Sequence, residues 1–252
     1  DITELRNAAL RDSMLQLARD VQQRLLPVPP PSTCGFDIAA GALMADKTGG
    51  DFYDFVPLDG SRMGLVVGDV SGHAFDAALV MARTHAYFRS IARTTSEPGE
   101  IMARLNQSLL ADVLESQFVT ALVAFADRAS GRLVYASAGH PTGYVLGPRG
   151  DVLASLESTG VPLGLFPDAQ HASAAVSGLE PGALVVLLTD GLVEAEGRGG
   201  VEFGSDRALG IVRQSIEQPA AEIVRRLQSA VSDHTGDGIR SDDITVVVCR
   251  VL

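Results

Sequence analysis

Six aspartates stand where apolar runs meet short turns, a placement that puts charge at the rim of a core. In GGDFYD (49 to 54) two glycines precede Asp51 and Asp54, and GLVVGD (64 to 69) ends on Asp69, followed by Val70, Ser71, Gly72 and His73. The run ALVVLLTDG delivers Asp190 and then Gly191, and SDDIT places Asp242 and Asp243 ahead of VVVCRV. A carboxylate at the end of a buried strand can meet a cation without being buried unpaired, and glycine at 72 would let backbone carbonyls come close to a metal. Any one of these aspartates alone is explained as a turn or capping residue. Four separate acidic strand ends together point to a convergent site for hard cations. Oxygen-only donors favour magnesium or manganese over zinc, with several waters retained. Two such ions about 3.5 to 4 Å apart would lower the pKa of a shared water and clamp a phosphoryl oxygen, so that no protein nucleophile is needed.

Other catalysts fail on what is missing. Neither Cys34 nor Cys249 is followed six residues later by arginine, so a cysteine-phosphatase loop is absent, and no GxxxxGK[ST] or GxSxG motif occurs. His73 in SGH and His140 in AGHP each lie in a turn beside glycine. Either could act as an acid or as a donor behind the metal ligands, and either could simply tie down nearby backbone.

The elements that must position these residues change character along the chain. Residues 3 to 26 carry helix formers with Leu10, Met14, Leu17 and Val21 as a short coiled-coil-like stripe, and Pro27 ends them. PVPPPSTCG (27 to 35) reads as a semi-rigid linker, so a helix over 1 to 28, able to dimerise or simply to pack, precedes a domain over 29 to 252. Strands are expected at 36–45, 62–69, 118–127, 132–139, 183–190 and 243–251, and helix pairs at 75–93 with 97–114 and at 203–216 with 219–234. Paired helices and hairpin-sized strand groups do not give regular strand-helix alternation, so the expected class is α+β with antiparallel sheets and helices outside them.

The 252 residues, 46% of them hydrophobic, suffice for a sizeable core. A net charge of -11 argues against nucleic acid or anionic lipid as a partner. Two distant cysteines and the lack of a long apolar run or leader-like start lead to the expectation of a cytoplasmic protein with no membrane insertion. Asp1 in place of methionine leads to the expectation of an excised or processed piece of a longer chain.

The ordered segments LARDVQQRLLP, GGDFYDF, GLVVGDVSGH with AALVMA, FVTALVAFAD, YASAGHP, GVPLG, LLTDGLVEA, FG at 203 to 204 and DDITVVV resemble the bacterial metal-dependent protein phosphatases of the PPM (type 2C) superfamily, in the SpoIIE/RsbU-like branch, from about Leu17 to Leu252. That resemblance implies an αββα sandwich with a two-metal site at one edge. It implies that Asp69 bridges two Mn2+ or Mg2+ ions, that Asp51 and the Val70 carbonyl join the second, that Asp190 and Asp242 hold the first, and that Asp243 is their neighbour. The implied substrate is phosphoserine or phosphothreonine in a protein, often an anti-sigma-factor antagonist of the STAS fold. An upstream sensor or receiver domain, coupled through the N-terminal helix and often across a homodimer, is implied as the regulator. Ala74, Ser137 and Ala183 depart from the family's usual glycine, asparagine and aspartate, and none removes a ligand. A catalytically weak or inactive scaffold and a metal-dependent phosphodiesterase or nucleotide hydrolase are the rival readings.

Overall fold

The computed structural model describes residues 22–27, 34–45, 48–72, 74–111, 117–236 and 242–252, with the single positions 6, 16 and 19. Leu10, Met14, Leu17 and Val21 of the expected N-terminal stripe, and His73, lie outside the described residues.

Among the described residues ten strands form two antiparallel five-stranded sheets. One holds β1 (Phe36–Leu43), β10 (Ile244–Val251), β9 (Leu184–Leu188), β6 (Gly143–Leu146) and β7 (Val152–Leu156) in that order. The other holds β2 (Phe52–Asp59), β3 (Arg62–Val70), β4 (Val119–Asp127), β5 (Arg132–Ala138) and β8 (Ala174–Ser177). The helices are α1 (Ala74–Ile91) and α2 (Pro98–Leu110), the single turn α3 (Asp190–Val193), α4 (Ser205–Gln214) and α5 (Ala220–Thr235).

Strand periodicity explains the layering. Along β3, Met63, Leu65 and Val67 enter the core between the sheets, while Val66 and Val70 face α1 and α2. Along β10, Val247, Cys249 and Val251 point between the sheets, while Ile244, Val246 and Val248 meet α4 and α5. Alternate side chains leave opposite faces of a strand, so a strand covered on both sides reads as a continuous apolar run. The four layers are therefore helices, sheet, sheet, helices, as the αββα expectation has it. Each fully buried leucine of the middle layer, such as Leu65 or Leu122, contributes about 1.5–3 kcal/mol.

The helix pairs start where local chemistry allows. Pro98 opens α2 with the φ a first helical residue needs, and the Asp37 carboxylate of β1 accepts the Ala220 N–H at 2.8 Å to open α5. Gly236 ends α5 at φ 64°. The helices run 74–91, 98–110, 205–214 and 220–235, close to their expected bounds. The expected strands do not include β2, β6, β7 or β8; the last two are short and largely solvent-facing, so neither a long apolar run nor a repeated alternation marks them.

Candidate functional site

Antiparallel pairing brings the acidic strand ends to one end of the sandwich. In the second sheet Phe52 lies opposite Gly68, so Asp51, just before β2, adjoins Asp69 near the end of β3. In the first sheet Val246 lies opposite Leu188, so Asp242 and Asp243, just before β10, adjoin Asp190, just after β9. The two pairs meet across the sheets: the Thr189 hydroxyl donates to Asp51 Oδ2 at 2.9 Å and accepts the Thr245 N–H at 2.9 Å. Two carboxylates from the second sheet and three from the first thus gather at one end of the sandwich.

Glycines at 49, 50 and 191 make that approach possible. A Cβ on Gly49 would lie 1.5 Å from Asp243 Oδ2, and one on Gly50 would lie 2.5 Å from the Val70 carbonyl oxygen and 2.7 Å from Asp69 Oδ1. A Cβ on Gly191 would lie 2.0 Å from the Asp243 carbonyl oxygen. Gly191 sits in the helical turn α3, where its missing side chain gives room to the Asp243 backbone. Gly72 was expected to let carbonyls approach. It has φ 99° with open space around its missing side chain, so its role is the left-handed backbone that leads into α1.

The electrostatics of the cluster are those of crowded like charges. Burial, then Asp190, Asp242 and Asp243, push the Asp69 carboxyl up to about 7. Burial and Asp69 raise Asp51 well above the usual carboxylate range against the pull of its hydroxyl donors. Burial and Asp242 raise Asp190. Burial raises Asp243 too, although its carboxylate accepts the Ala45 N–H at 2.8 Å and backbone N–H groups of the Gly50–Asp51 turn. Asp243 thereby ties the 45–51 loop to β10. Glu194, at the rim, is raised by burial and then by Asp190, Glu202 and Asp242.

This donor set fits a divalent cation. Every polar group converging here is an oxygen, and the charges acting on Asp69 share its sign. Among the described residues no group of three or more His, Cys, Asp or Glu side chains is drawn together closely enough to hold a metal ion. An open cluster suits magnesium or manganese, which keep several waters and take few protein ligands.

Two other residues of interest stand apart from the cluster. Asp54 lies within β2, fully buried, with Arg89 on one side and His85 Nε2 on the other at 3.0 Å. It is a structural ion pair, not a turn cap. His140 is buried, its Nδ1 2.9 Å from the Thr120 hydroxyl, and burial lowers its pKa to about 3. Its imidazole is therefore neutral at ordinary pH, and it hydrogen-bonds the Thr120 that pairs with Asp69 in the sheet. Thr189 and Gln22 were missed: the first stands inside the quoted LLTDG run, and the second sits among the polar positions of the N-terminal stripe with nothing local to distinguish it.

Comparison with known proteins agrees with this geometry. The family model described as Stage II sporulation protein E (SpoIIE) matches residues 59–252. Phosphoserine phosphatase RsbU of Bacillus subtilis is 28% identical over 94% of this chain and 70% of its own length. The chain spans between 40% and 70% of the length of curated relatives it matches. The SiaA-PP2C domain of Pseudomonas aeruginosa superposes with a TM-score of 0.85 at 25% identity, covering 97% of this chain and 98% of that one. The catalytic domain of the serine threonine protein phosphatase PstP, described in complex with two manganese ions, shares the fold at 17% identity with a TM-score of 0.61, over 86% of this chain and 98% of its own. A two-sheet sandwich, an acidic rim drawn from four strand ends and a family match over most of the chain lead to one assignment: the chain belongs to the SpoIIE family, in the SpoIIE/RsbU branch of the bacterial PPM phosphatases.

Proposed function

We propose that this chain hydrolyses phosphoserine and phosphothreonine esters in a protein, with magnesium or manganese, in all two ions, held by Asp51, Asp69, Asp190 and Asp242 and by the Val70 carbonyl. The observation that carries this reading is the meeting of four strand-end carboxylates from two sheets. Bound there, the cations would supply Lewis acidity and a water of lowered pKa. Asp69, called on from both sheets, takes the central place; Asp51 is aimed by the Thr189 hydroxyl, and Asp190 by the Gly191 N–H at 3.0 Å. Asp242, which accepts the Asp243 N–H at 2.8 Å, is the ligand of the neighbouring pair, and Asp243 is the loop anchor, its carboxylate already engaged by backbone N–H groups. Buried His140, held neutral by burial, is a poor proton donor to the leaving serine or threonine oxygen, which takes its proton from water or a nearby acid.

The resemblance to the RsbU-like branch supports a STAS-fold anti-sigma antagonist as the physiological substrate, in a bacterial stress or sigma-factor pathway. It also supports residues 1–28 as the link to an upstream sensor or receiver domain and as a dimerising helix, ahead of a phosphatase domain over 29–252. No described helix is long and apolar enough to cross a membrane. The test is phosphate release from a phosphoserine peptide, set beside linear and cyclic nucleotides, with and without manganese. Manganese-dependent release from the peptide alone is expected; release only from nucleotides would move the assignment to a phosphodiesterase or nucleotide hydrolase.

A further inference from the structure

The loop that carries Gly49 and Gly50 is pressed between two surfaces. On its inner side lie Asp243, Asp69 and the Val70 carbonyl, so close that neither glycine could bear a side chain without displacing them. On its outer side lies Gln22. Its Nε2 donates to the Gly49 carbonyl at 2.7 Å, and its Oε1 accepts the Gly49 N–H at 3.2 Å. One side-chain amide thus satisfies both backbone groups of one residue, from 27 positions away, and Gln22 is almost fully buried while doing so.

A glycine pair has no side chains with which to fix its own conformation, and its freedom is the largest of any residue. Something else must hold it. Asp243 ties the loop from inside through the Ala45 N–H and backbone N–H groups of the Gly50–Asp51 turn, and the backbone groups of Gly49 are left to Gln22. The contacts on Asp69 and the Val70 carbonyl are close approaches, and like charges push the carboxylates apart when no cation is present. A buried amide paired on both of its polar atoms is a rigid fastening, because releasing it would strand polar groups away from water. Gln22 itself is fixed from behind. It sits in a helical turn whose Leu26 N–H donates to the Gln22 carbonyl at 3.3 Å, and Leu26 packs against both the inter-sheet core and the core beneath α1.

We propose that Gln22 is a positioning residue for the cation site: its amide fixes the Gly49–Asp51 turn, and with it the spacing of Asp51 from Asp69 and the Val70 carbonyl. This rests on the reading of the cluster as a divalent cation site. It also makes cation affinity depend on the pose of the segment that carries Gln22, since no other described side chain is given a bond to either backbone group of Gly49.

The test uses the full chain and Gln22→Met, which keeps the side chain's length and removes both hydrogen bonds. Calorimetric titration with MnCl2 reads cation affinity apart from catalysis, and phosphoserine-peptide hydrolysis across a manganese series separates half-saturation from the maximal rate. Gln22→Met should weaken manganese binding about tenfold, raise the half-saturating manganese to match, and leave the rate at saturation within about twofold. Amide exchange in the metal-free protein should speed up over residues 48–51 and not in β3 or β10. A mere packing role would lower the melting temperature and leave manganese half-saturation unmoved, and that result overturns the proposal. If Gln22→Met does not fold, Gln22→Glu, which keeps the acceptor for the Gly49 N–H and loses the donor, is read in the same assays with the same criteria. Weaker manganese binding in the variant of a wild type that hydrolyses no phosphopeptide would sustain the role of Gln22 and remove the phosphatase reading; equal binding in two active proteins would do the reverse.

Discussion

Asp51 and Asp54 lie three residues apart at the start of one strand, and both are buried, yet they live in opposite surroundings. Burial raises Asp51, and the nearby Asp69 raises it further. Burial would raise Asp54 as well, but the Arg89 guanidinium and the His85 imidazole more than offset it, and its carboxyl is held below the usual range. A buried acid given cations by its own fold is a fastening, here of β2 to α1. A buried acid set beside other acids, with a hydroxyl donor and no cation to offset them, suits a charge from outside. The difference is legible in the partners and not in the burial, and it separates a carboxylate that fastens the fold from those proposed to hold cations.

The sharpest way to break that comparison is to remove one member of each class. Asp69→Ala should lower manganese-dependent phosphate release on the order of 10³-fold, since cation placement is the only strong electrostatic device in view. Its metal-free melting temperature should equal or exceed that of the wild type, because a like charge has been removed from the cluster. Asp54→Ala should do the opposite, costing about 2–3 kcal/mol in urea unfolding and leaving manganese affinity unchanged. That figure sits below the usual cost of breaking a buried pair because the Arg89 side chain is half exposed and can turn to water.

A smaller effect is expected where the two classes touch. Thr189→Val removes the donor to Asp51 and strands the Thr245 N–H, and should cost about 1–2 kcal/mol by the same unfolding measurement. The smallest is the acid limb of stability. The folded pKa of Asp54 is depressed, so its contribution is present above the unfolded carboxylate value of about 3.9 and is lost as pH falls through the folded one. Urea midpoints measured from pH 5 down to pH 3 should fall more steeply in the wild type than in Asp54→Asn.

How much of this could be read from the sequence follows from the range of each interaction. Strands β3, β4, β5, β9 and β10 declared themselves because helices or a second sheet cover both faces, and their residues are mostly apolar. The acidic strand ends were legible for the same reason, since a carboxylate that closes an apolar run stands out. Strands β7 and β8 were not, being short and half turned to solvent. The role of Asp54 was hidden because Arg89 lies 35 residues further along, on a helix. Gln22 was hidden more thoroughly: a glutamine in a helix-forming stretch is ordinary until the fold lays Gly49 against it.

The most direct measurement is calorimetric titration of manganese into the metal-free chain, its Asp69→Ala variant and its Asp54→Ala variant. Saturable binding of about two ions per chain, lost in Asp69→Ala and kept in Asp54→Ala, is the expected result. Equal binding in wild type and Asp69→Ala, or none in the wild type, would contradict the claim that the unpaired carboxylates exist to hold a cation.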